Sequence, residues 1–291
     1  MIIWLASYPK SGNTWVKNII NQIIHGHYKN KEDVFEHSSR IRRYPAKKDF
    51  LDLPQIPSKG KYTDEQKKIV INHTVKNWRP SQDNINLNKK INILKTHNML
   101  CSIDLDKKYP FTNKDNTIGV IHIVRDPRNI VASVNNHYSH NSQEKSVNML
   151  LNQYNWIGFK DDDVPQLLSS WKNHYNSWKR FPDNNLLIRY EDLLKNTKSI
   201  ILNLIEYLSK FFELKTSEIE ISKIIENTSF ENFRTQEKMG KFKENASNEL
   251  GEKKQFFFLG PKNNWKNYLR PEYVKKINLN FKDEMKELGY L

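Results

Sequence analysis

The sequence predicts an α/β fold in which helices flank a central parallel β-sheet. Short apolar segments, the first at residues 2–7, alternate along the chain with segments of helical periodicity, the first at 14–24. Such alternation is typical of parallel strands joined by helices that cover both faces of the sheet. No internal repeat or Gly/Ser linker divides the 291 residues. A single domain over residues 1–291 is therefore predicted.

The other elements are assigned from their periodicity in chain order. The polar segment before residue 91 has too weak a periodicity for assignment, and the charged stretch 234–254 is predicted to be mobile. Polar residues interrupt every apolar stretch before it reaches membrane-spanning length, so no stable membrane insertion is expected. Further strands are predicted at 91–94, 118–124 and 186–188, and further helices at 128–138, 165–180, 192–212 and 271–288.

Charge and cysteine content restrict the partner and the compartment. The formal net charge of +14 predicts an anionic partner, although charge alone does not distinguish nucleic acid, a membrane surface and phosphorylated small molecules. Cys101 is the only cysteine, so neither an intrachain disulfide nor a zinc cluster fits the sequence. The first residues lack a basic leader and a long apolar run. A reducing compartment and a cytoplasmic location are therefore expected.

The loop after the first strand has the composition of a phosphate-binding loop. Residues 8–15 read Tyr-Pro-Lys-Ser-Gly-Asn-Thr-Trp. A loop that leaves a strand and enters a helix directs backbone N–H groups and the positive helix end at one point, which suits an anion. Gly12 allows close backbone approach, and Trp15 offers a face to a base. The side chains expected to contact phosphate are Lys10, Ser11, Asn13 and Thr14.

Two later strands are also followed by residues suited to group transfer. The strand at 91–94 leads into Lys95-Thr96-His97, at the end of the sheet where open parallel sheets bind ligands. His97 is a candidate general base, because an imidazole pKa near about 6.5 suits proton transfer near neutral pH. The strand at 118–124 leads to Arg125, which can grip a second phosphate with Ser133 if the loop folds back along the helix. The alternative for Arg125 is a structural pair with Asp126.

Together these segments resemble the cytosolic-type sulfotransferases, which have a P-loop NTPase-like fold. The resemblance rests on residues 8–15, on 95–97 and on the segment 125–133, which occur in matching order and spacing. Two further segments are similar to adenine-contacting segments of that family: Arg-Tyr-Glu-Asp at 189–192 and Asn-Thr-Ser-Phe at 227–230.

The resemblance implies transfer of a sulfuryl group from 3'-phosphoadenosine 5'-phosphosulfate (PAPS) to a hydroxyl or amine of a small-molecule acceptor. Adenosine 3',5'-bisphosphate (PAP) would be the product, and no metal would be needed. His97 would deprotonate the acceptor, Lys10 would steady the leaving 5'-phosphate, and Lys95 would support the transferring oxygens. The residues implied in donor binding are Lys10, Ser11, Gly12, Asn13, Thr14, Trp15, Arg125, Ser133, Tyr190, Thr228 and Phe230.

The carboxyl-terminal part departs from the family pattern, in which Arg-Lys-Gly is followed by Gly-Asp-Trp-Lys. Residues 258–266 read Phe-Leu-Gly-Pro-Lys-Asn-Asn-Trp-Lys, so Gly260 is retained and the Arg-Lys pair is not. Either Lys262 or another cation replaces this pair, or donor binding is weaker. The family's dimer signature is also missing after Trp265, so no oligomeric state is carried over.

Two other functions remain open at this point. A P-loop small-molecule kinase is suggested by residues 8–15, but it would need a magnesium ligand and a Gly-Lys-Ser/Thr order that the sequence lacks. A nucleic-acid-binding protein is suggested by the positive charge and the aromatic residues, and its binding would depend steeply on salt. The expected partner is a small-molecule acceptor rather than a nucleic acid.

Overall fold

The computed structural model describes residues 1–26, 31–50, 53–54, 62–140, 142–159, 163–181, 183–214, 217–242, 244 and 254–291. The strands are β1 (Ile2–Ser7), β2 (Asn92–Thr96), β3 (Ser102–Asp104), β4 (Lys108–Pro110), β5 (Thr117–Val124), β6 (Trp156–Ile157), β7 (Gln166–Leu167) and β8 (Asn185–Arg189). The helices are α1 (Asn13–His25), α2 (Asp64–Asn86), α3 (Pro127–His137), α4 (Gln143–Leu151), α5 (Trp171–Lys179), α6 (Tyr190–Lys195), α7 (Thr197–Ser209), α8 (Glu218–Asn227), α9 (Phe230–Lys238), α10 (Pro271–Asn280) and α11 (Lys282–Glu287).

The central sheet has the strand order β2-β1-β5-β8. β1 pairs with β2 in parallel, from Ile2 opposite Asn92 to Ala6 opposite Thr96. All of β1 is buried, as expected of a strand covered on both faces. The sheet is parallel and flanked by helices, which confirms the predicted P-loop NTPase-like fold class. Because β2 and β5 lie on opposite sides of β1, the strand order switches at β1, where open α/β sheets bind ligands.

The chain forms two compact units, each assembled from three segments of sequence. The single domain predicted from the sequence stays a prediction. Unit 1 comprises Met1–Tyr8, Arg42–His122 and Asn152–Leu186, and unit 2 comprises Pro9–Ile41, Ile123–Leu151 and Leu187–Leu291.

The core of unit 1 is rich in aromatic side chains around β1. Trp4 is fully buried, and its ring centroid lies 5.2 Å from those of both Tyr44 and Phe111. Trp4 Nε1 donates a hydrogen bond to Thr117 Oγ1 at 2.9 Å, and the Tyr44 hydroxyl donates to the Trp78 carbonyl at 2.8 Å. Large rings whose polar atoms are paired stabilise a core strongly. This packing holds the strand from which the loop at residue 8 begins.

The core of unit 2 includes a cluster of phenylalanines. The ring centroid of Phe35 lies 5.1 Å from that of Phe233 and 4.9 Å from that of Phe242. The buried members of this phenylalanine cluster are Val34, Phe35, Phe233, Phe242 and Phe257, and the partly buried Trp15, Phe230 and Phe256 pack against it.

β2 extends further than the sequence predicts. It runs to Thr96 rather than ending at residue 94, so Lys95 lies within the strand and His97 is the first residue after it. Lys95 N donates to the Arg42 carbonyl at 2.9 Å, and Tyr44 N donates to the Lys95 carbonyl at 2.8 Å. Pairing with a segment that lies 51 to 53 residues earlier in the chain keeps Lys95 extended. The local periodicity of the sequence does not reveal such pairing.

Three predicted helices are wrong in extent, and in two of them a capping side chain begins a helix inside the predicted range. Residues 165–170 are not helical, since the Ser170 side chain accepts a hydrogen bond from Asn173 N and begins α5. The predicted helix 192–212 is divided at Asn196, whose side chain caps α7 by accepting from Ser199 N. The predicted helix 271–288 is divided at Phe281 into α10 and α11.

Several helices were missed where the sequence is mainly polar. α2 lies in the unassigned segment and buries only a narrow stripe that includes Val70 and Trp78. α9 overlaps the stretch 234–254 predicted to be mobile, so that prediction is wrong for 234–238, while 243 and 245–253 lie outside the described residues. In the part of the chain that the structure describes, every helix is too short or too polar to cross a membrane.

Candidate active site

Gly12 shapes the loop between β1 and α1. Its φ is +102°, and a Cβ atom built on it would lie 2.6 Å from Cδ2 of Tyr190. Only glycine adopts this φ readily, and only a residue without a side chain leaves room for the Tyr190 ring. Trp15 N and Val16 N both donate to the Gly12 carbonyl, at 3.0 and 3.2 Å, which begins the helix directly after the loop.

The first turn of α1 is suited to an anion. It contains no acidic residue, and a helix N-terminus carries partial positive charge. Ser11 is fully buried, and its Oγ has no hydrogen-bond partner within the described residues. Asn13 and Thr14 are also buried. A buried hydroxyl without a protein partner at this position can donate to a phosphate oxygen.

Lys10 belongs to the same loop and precedes Gly12 by two residues. Its backbone has φ +66°, in the left-handed region, and its carbonyl accepts a hydrogen bond from Arg125 Nη1 at 2.9 Å. Its ammonium nitrogen lies 3.6 Å from the ring centroid of Phe256. A cation held over an aromatic face keeps its charge while its side chain is oriented. The Phe-Phe-Phe run at 256–258 gave no signal for this contact in the sequence.

Arg125 is a buried cation without a carboxylate partner among the described residues. It is 6% exposed, and its Nη1 donates to Ser133 Oγ at 3.3 Å, so the loop does fold back along α3. Its guanidinium lies 4.0 Å from the Tyr190 ring centroid, and its Nε has no partner in the described ranges. The alternative pairing with Asp126 is wrong, because that carboxylate pairs with Arg128 at 2.7 Å. A buried, unpaired guanidinium is costly unless an anion binds it.

The aromatic residues implied in adenine binding lie in unit 2. The Trp15 and Tyr190 ring centroids are 5.9 Å apart in an edge-to-face arrangement, and Trp15 and Phe230 both pack against the phenylalanine cluster. Thr228 is fully buried, and its hydroxyl donates to the Ile224 carbonyl at 2.7 Å. The structure therefore brings Trp15 and Tyr190 into contact, while the Thr228 hydroxyl is used at the end of α8.

The segment that departs from the family pattern places its glycine and lysine differently. A Cβ atom on Gly260 would lie 2.3 Å from the Phe230 ring, so the glycine packs directly against that ring. Lys262 is exposed, and no hydrogen bond within the described residues joins it to Arg125 or Ser133. Asn263 donates from Nδ2 to Ser133 Oγ at 3.2 Å instead. The sequence carried no signal for Asn263, because it lies 130 residues from Ser133 in the chain.

His97 is held in unit 1 through its ring and its backbone. Its Nδ1 lies 2.7 Å from the Ser7 carbonyl, and its backbone N donates to Gln166 Oε1 at 3.0 Å. A carbonyl only accepts, so Nδ1 carries the proton and Nε2 keeps its lone pair. The His97 carbonyl in turn accepts a hydrogen bond from His174. These contacts leave Nε2 as the ring atom that can accept a proton. No signal in the sequence pointed to Gln166 or His174.

The surroundings of His97 keep its ring neutral. Burial lowers the pKa of His97 well below its usual value, and the positive charges of Lys95 and Arg43 lower it further. The hydrogen bond to the Ser7 carbonyl acts in the opposite direction. A neutral imidazole at pH 7 is the form that accepts a proton.

Comparison with known proteins identifies the family. The model of the sulfotransferase domain matches residues 2–289. The chain belongs to the sulfotransferase family. This membership confirms the resemblance drawn from the sequence and favours a sulfotransferase over the kinase and nucleic-acid-binding alternatives.

Similar proteins match this sulfotransferase over almost its whole length. An amine sulfotransferase of Oryctolagus cuniculus is 22% identical, covering 98% of this chain and 81% of its own. Sulfotransferase 1B1 of Canis lupus familiaris is 23% identical, covering 97% and 83%. Mouse sulfotransferase SULT7A1 complexed with PAP aligns with a TM-score of 0.57 at 20% identity, covering 98% and 84%. Retinol dehydratase in a complex with retinol and PAP aligns with a TM-score of 0.58 at 21% identity, covering 98% and 81%.

Proposed function

We propose that this sulfotransferase transfers a sulfuryl group from PAPS to a hydroxyl or amine of a small-molecule acceptor. The observation that carries the proposal is the buried guanidinium of Arg125, which meets Ser133 and has no carboxylate partner in the described part of the chain. An anionic group of the donor would supply the missing negative charge. Similar proteins whose structures contain PAP support this choice of donor.

The residues present fit the two phosphate ends of such a donor. The 5'-phosphate would be held by the Ser11 hydroxyl, the backbone at Gly12 and the start of α1. Residue 12 must be a glycine here, because a side chain would collide with Tyr190. Arg125 and Ser133 would hold the 3'-phosphate. Both sets lie in unit 2. The partly buried rings of Trp15 and Phe230 would pack against the adenine of the donor.

The chemistry requires one proton acceptor and one stabilised leaving group. His97 would take the acceptor's proton at Nε2, while the acceptor oxygen or nitrogen forms a bond to sulfur and the bond from sulfur to the bridging oxygen breaks. The electron pair of that bond would leave with the 5'-phosphate, and the ammonium of Lys10 would balance the developing charge. The products would be the sulfated acceptor, adenosine 3',5'-bisphosphate (PAP) and a proton. Lys95 would support the sulfuryl oxygens.

No divalent cation is needed in this proposal. A transferring sulfuryl group carries less negative charge than a phosphoryl group, so lysines and N–H donors suffice to stabilise a loose transition state. The acceptor belongs to the class of small molecules with a free hydroxyl or amine, since the similar proteins include an amine sulfotransferase and a retinol dehydratase in a complex with retinol. The cytoplasmic location stays a prediction.

Binding and turnover test the proposal directly. We expect calorimetry to show binding of PAP, and transfer of labelled sulfate from PAPS to persist in EDTA with an acceptor drawn from a panel of alcohols, phenols and amines. The variant Arg125→Gln should lose most of the preference for PAP over adenosine 5'-monophosphate. Absence of PAP binding by the wild type would refute the proposal. Magnesium-dependent turnover of ATP would favour the kinase instead.

A further inference from the structure

The family pattern has an Arg-Lys pair at the positions of residues 258 and 259, and this chain has no cation at either position. The structure places the neutral side chain of Asn263 beside the Ser133 hydroxyl. Phe258 and Leu259 stand where the family has Arg-Lys, and Phe258 is 45% exposed. Lys262, a cation of the same segment, is exposed. Asn263 is instead within hydrogen-bonding distance of Ser133. The segment without the Arg-Lys pair therefore contacts Ser133 through an amide.

Asn263 is fixed against α3 by two hydrogen bonds from its own side chain. Its Nδ2 donates to the Asn129 carbonyl at 2.8 Å and to Ser133 Oγ at 3.2 Å. A third contact holds the segment in place, since Trp265 N donates to Asn129 Oδ1 at 2.8 Å. The short 3-10 helix at Gly260–Lys262 brings Asn263 to this position. These contacts fix the orientation of the Asn263 amide. The Asn129 carbonyl can only accept a hydrogen bond, so the amide nitrogen and not the amide oxygen must face it.

These contacts determine what the Ser133 hydroxyl can do. Its oxygen accepts from Arg125 Nη1 at 3.3 Å and from Asn263 Nδ2 at 3.2 Å. A hydroxyl has two acceptor lone pairs and one proton, so two accepted bonds leave the O–H for donation to a third group. Asn263 Oδ1 and Arg125 Nε are both buried without a partner in the described residues. A bound ligand can satisfy buried polar atoms that have no protein partner.

We propose that Asn263 is a positioning residue for the 3'-phosphate of the donor. By donating to Ser133 Oγ, Asn263 turns the Ser133 O–H toward the phosphate. This neutral contact would replace part of the 3'-phosphate binding that the resemblance assigns to the Arg-Lys pair. The inference rests on the proposed function, because it needs a donor with a 3'-phosphate. It does not require Lys262, which was the substitute expected from the sequence.

The chemistry distinguishes two variants at this position. Asn263→Ala removes one donor and leaves Ser133 less well oriented. Asn263→Asp presents a carboxylate, which accepts only, so the Ser133 O–H turns toward residue 263 and the new charge repels phosphate. The second variant should therefore have the larger effect, although the two side chains are nearly equal in size.

The experiment compares the affinities of purified variants for PAP and for adenosine 5'-monophosphate, which lacks the 3'-phosphate. We expect the preference for PAP to fall about 5-fold in Asn263→Ala and at least about 50-fold in Asn263→Asp, as one and several weakened hydrogen bonds imply. Affinity for the monophosphate should stay within about 2-fold. The exposed Asn267 of the same segment gives the matched control, and Asn267→Ala should leave the preference unchanged.

A double-mutant cycle with Ser133→Ala separates this role from a general one. If Asn263 acts through Ser133, then Asn263→Ala has no further effect on the preference in the Ser133→Ala background. Equal losses of PAP and monophosphate binding would overturn the inference, as would an unchanged preference in Asn263→Asp or a larger loss in Lys262→Ala. Failure of the wild type to bind PAP at all would refute the proposed function instead.

Discussion

Arg125 and His97 are the two candidate residues whose surroundings bear most directly on the proposed chemistry. Arg125 is buried with its charge directed at Ser133 and at the Tyr190 ring, while Asp126, its neighbour in sequence, pairs with Arg128. The carboxylate that would have neutralised Arg125 is thus occupied elsewhere. His97 has the opposite requirement, since its burial and the nearby positive charges keep it uncharged. One residue calls for an anion, and the other can accept a proton.

The pKa of His97 predicts the pH dependence of turnover. Below its pKa the ring is protonated and cannot act as a base, so the rate should fall as pH falls through that value. Because the pKa is lowered, this acid limb should lie well below pH 6.5. Lys95→Gln removes a positive charge that lowers the pKa, so its acid limb should move to higher pH. Profiles of kcat/KM against pH measure both positions.

Replacing the proposed base, His97, provides the control for this pH profile. His97→Ala should lower kcat by at least about 100-fold while leaving the affinity for PAP nearly unchanged. An acid limb that stays in place in Lys95→Gln, or near-normal turnover in His97→Ala, would show that another group accepts the proton.

At the scale of an element, the proposed phosphate site is built from β1, the loop that follows it and α1. β1 is buried on both faces, and the loop after it turns at Gly12 before α1 begins at Asn13. The sequence predicted this arrangement because its signals are local: an apolar run, a glycine and a helical period. It missed α2, whose hydrophobic stripe is narrow in a polar segment.

The turn at residue 12 predicts a specific sensitivity. Gly12→Ala adds a Cβ atom 2.6 Å from the Tyr190 ring at φ +102°, so either the loop or the ring must move. We expect the affinity for PAP to fall at least about 10-fold, through loss of well-formed phosphate contacts. Calorimetry measures this change.

Gly240 offers a matched control for backbone strain. It also has a positive φ, of +76°, but a Cβ atom there would meet nothing within 4 Å. Gly240→Ala should therefore lower stability slightly and leave PAP affinity within about 2-fold. Equal losses of affinity in the two variants would show that strain alone, and not the contact with Tyr190, explains the effect at residue 12.

At the scale of the whole molecule, two buried histidines and the half-buried His97 make stability depend on pH. Burial lowers the pKa of His97 and His122 well below the usual value and lowers the pKa of His174 to about 3. In the unfolded chain these groups titrate near about pH 6.5. As pH falls below that value, the unfolded state binds protons that the folded state does not, so stability is lost in that range.

His122 allows this effect to be measured. It is 1% exposed and lies 5.8 Å from the Tyr175 ring centroid, and neither ring nitrogen has a partner in the described part of the chain. His122→Phe should therefore keep the packing and lose no hydrogen bond. Between pH 6 and pH 4.5, its free energy of unfolding should fall less steeply than that of the wild type, by up to about 1.4 kcal/mol per pH unit. Chemical denaturation series at several pH values test this, and parallel slopes would contradict it.

The fold class, the family and most of the candidate residues could be predicted from the sequence. Those conclusions depend on short-range signals, such as the composition of residues 8–15 and the order Lys-Thr-His at 95–97. Which groups are partners can be read only from the three-dimensional arrangement of the chain. Asp126 pairs with Arg128 rather than Arg125, Ser7 sets the tautomer of His97, and Asn263 reaches Ser133 from 130 residues away. Hydrogen bonds and ion pairs form between groups that are close in space, and the pattern of residue types along a chain does not specify those distances.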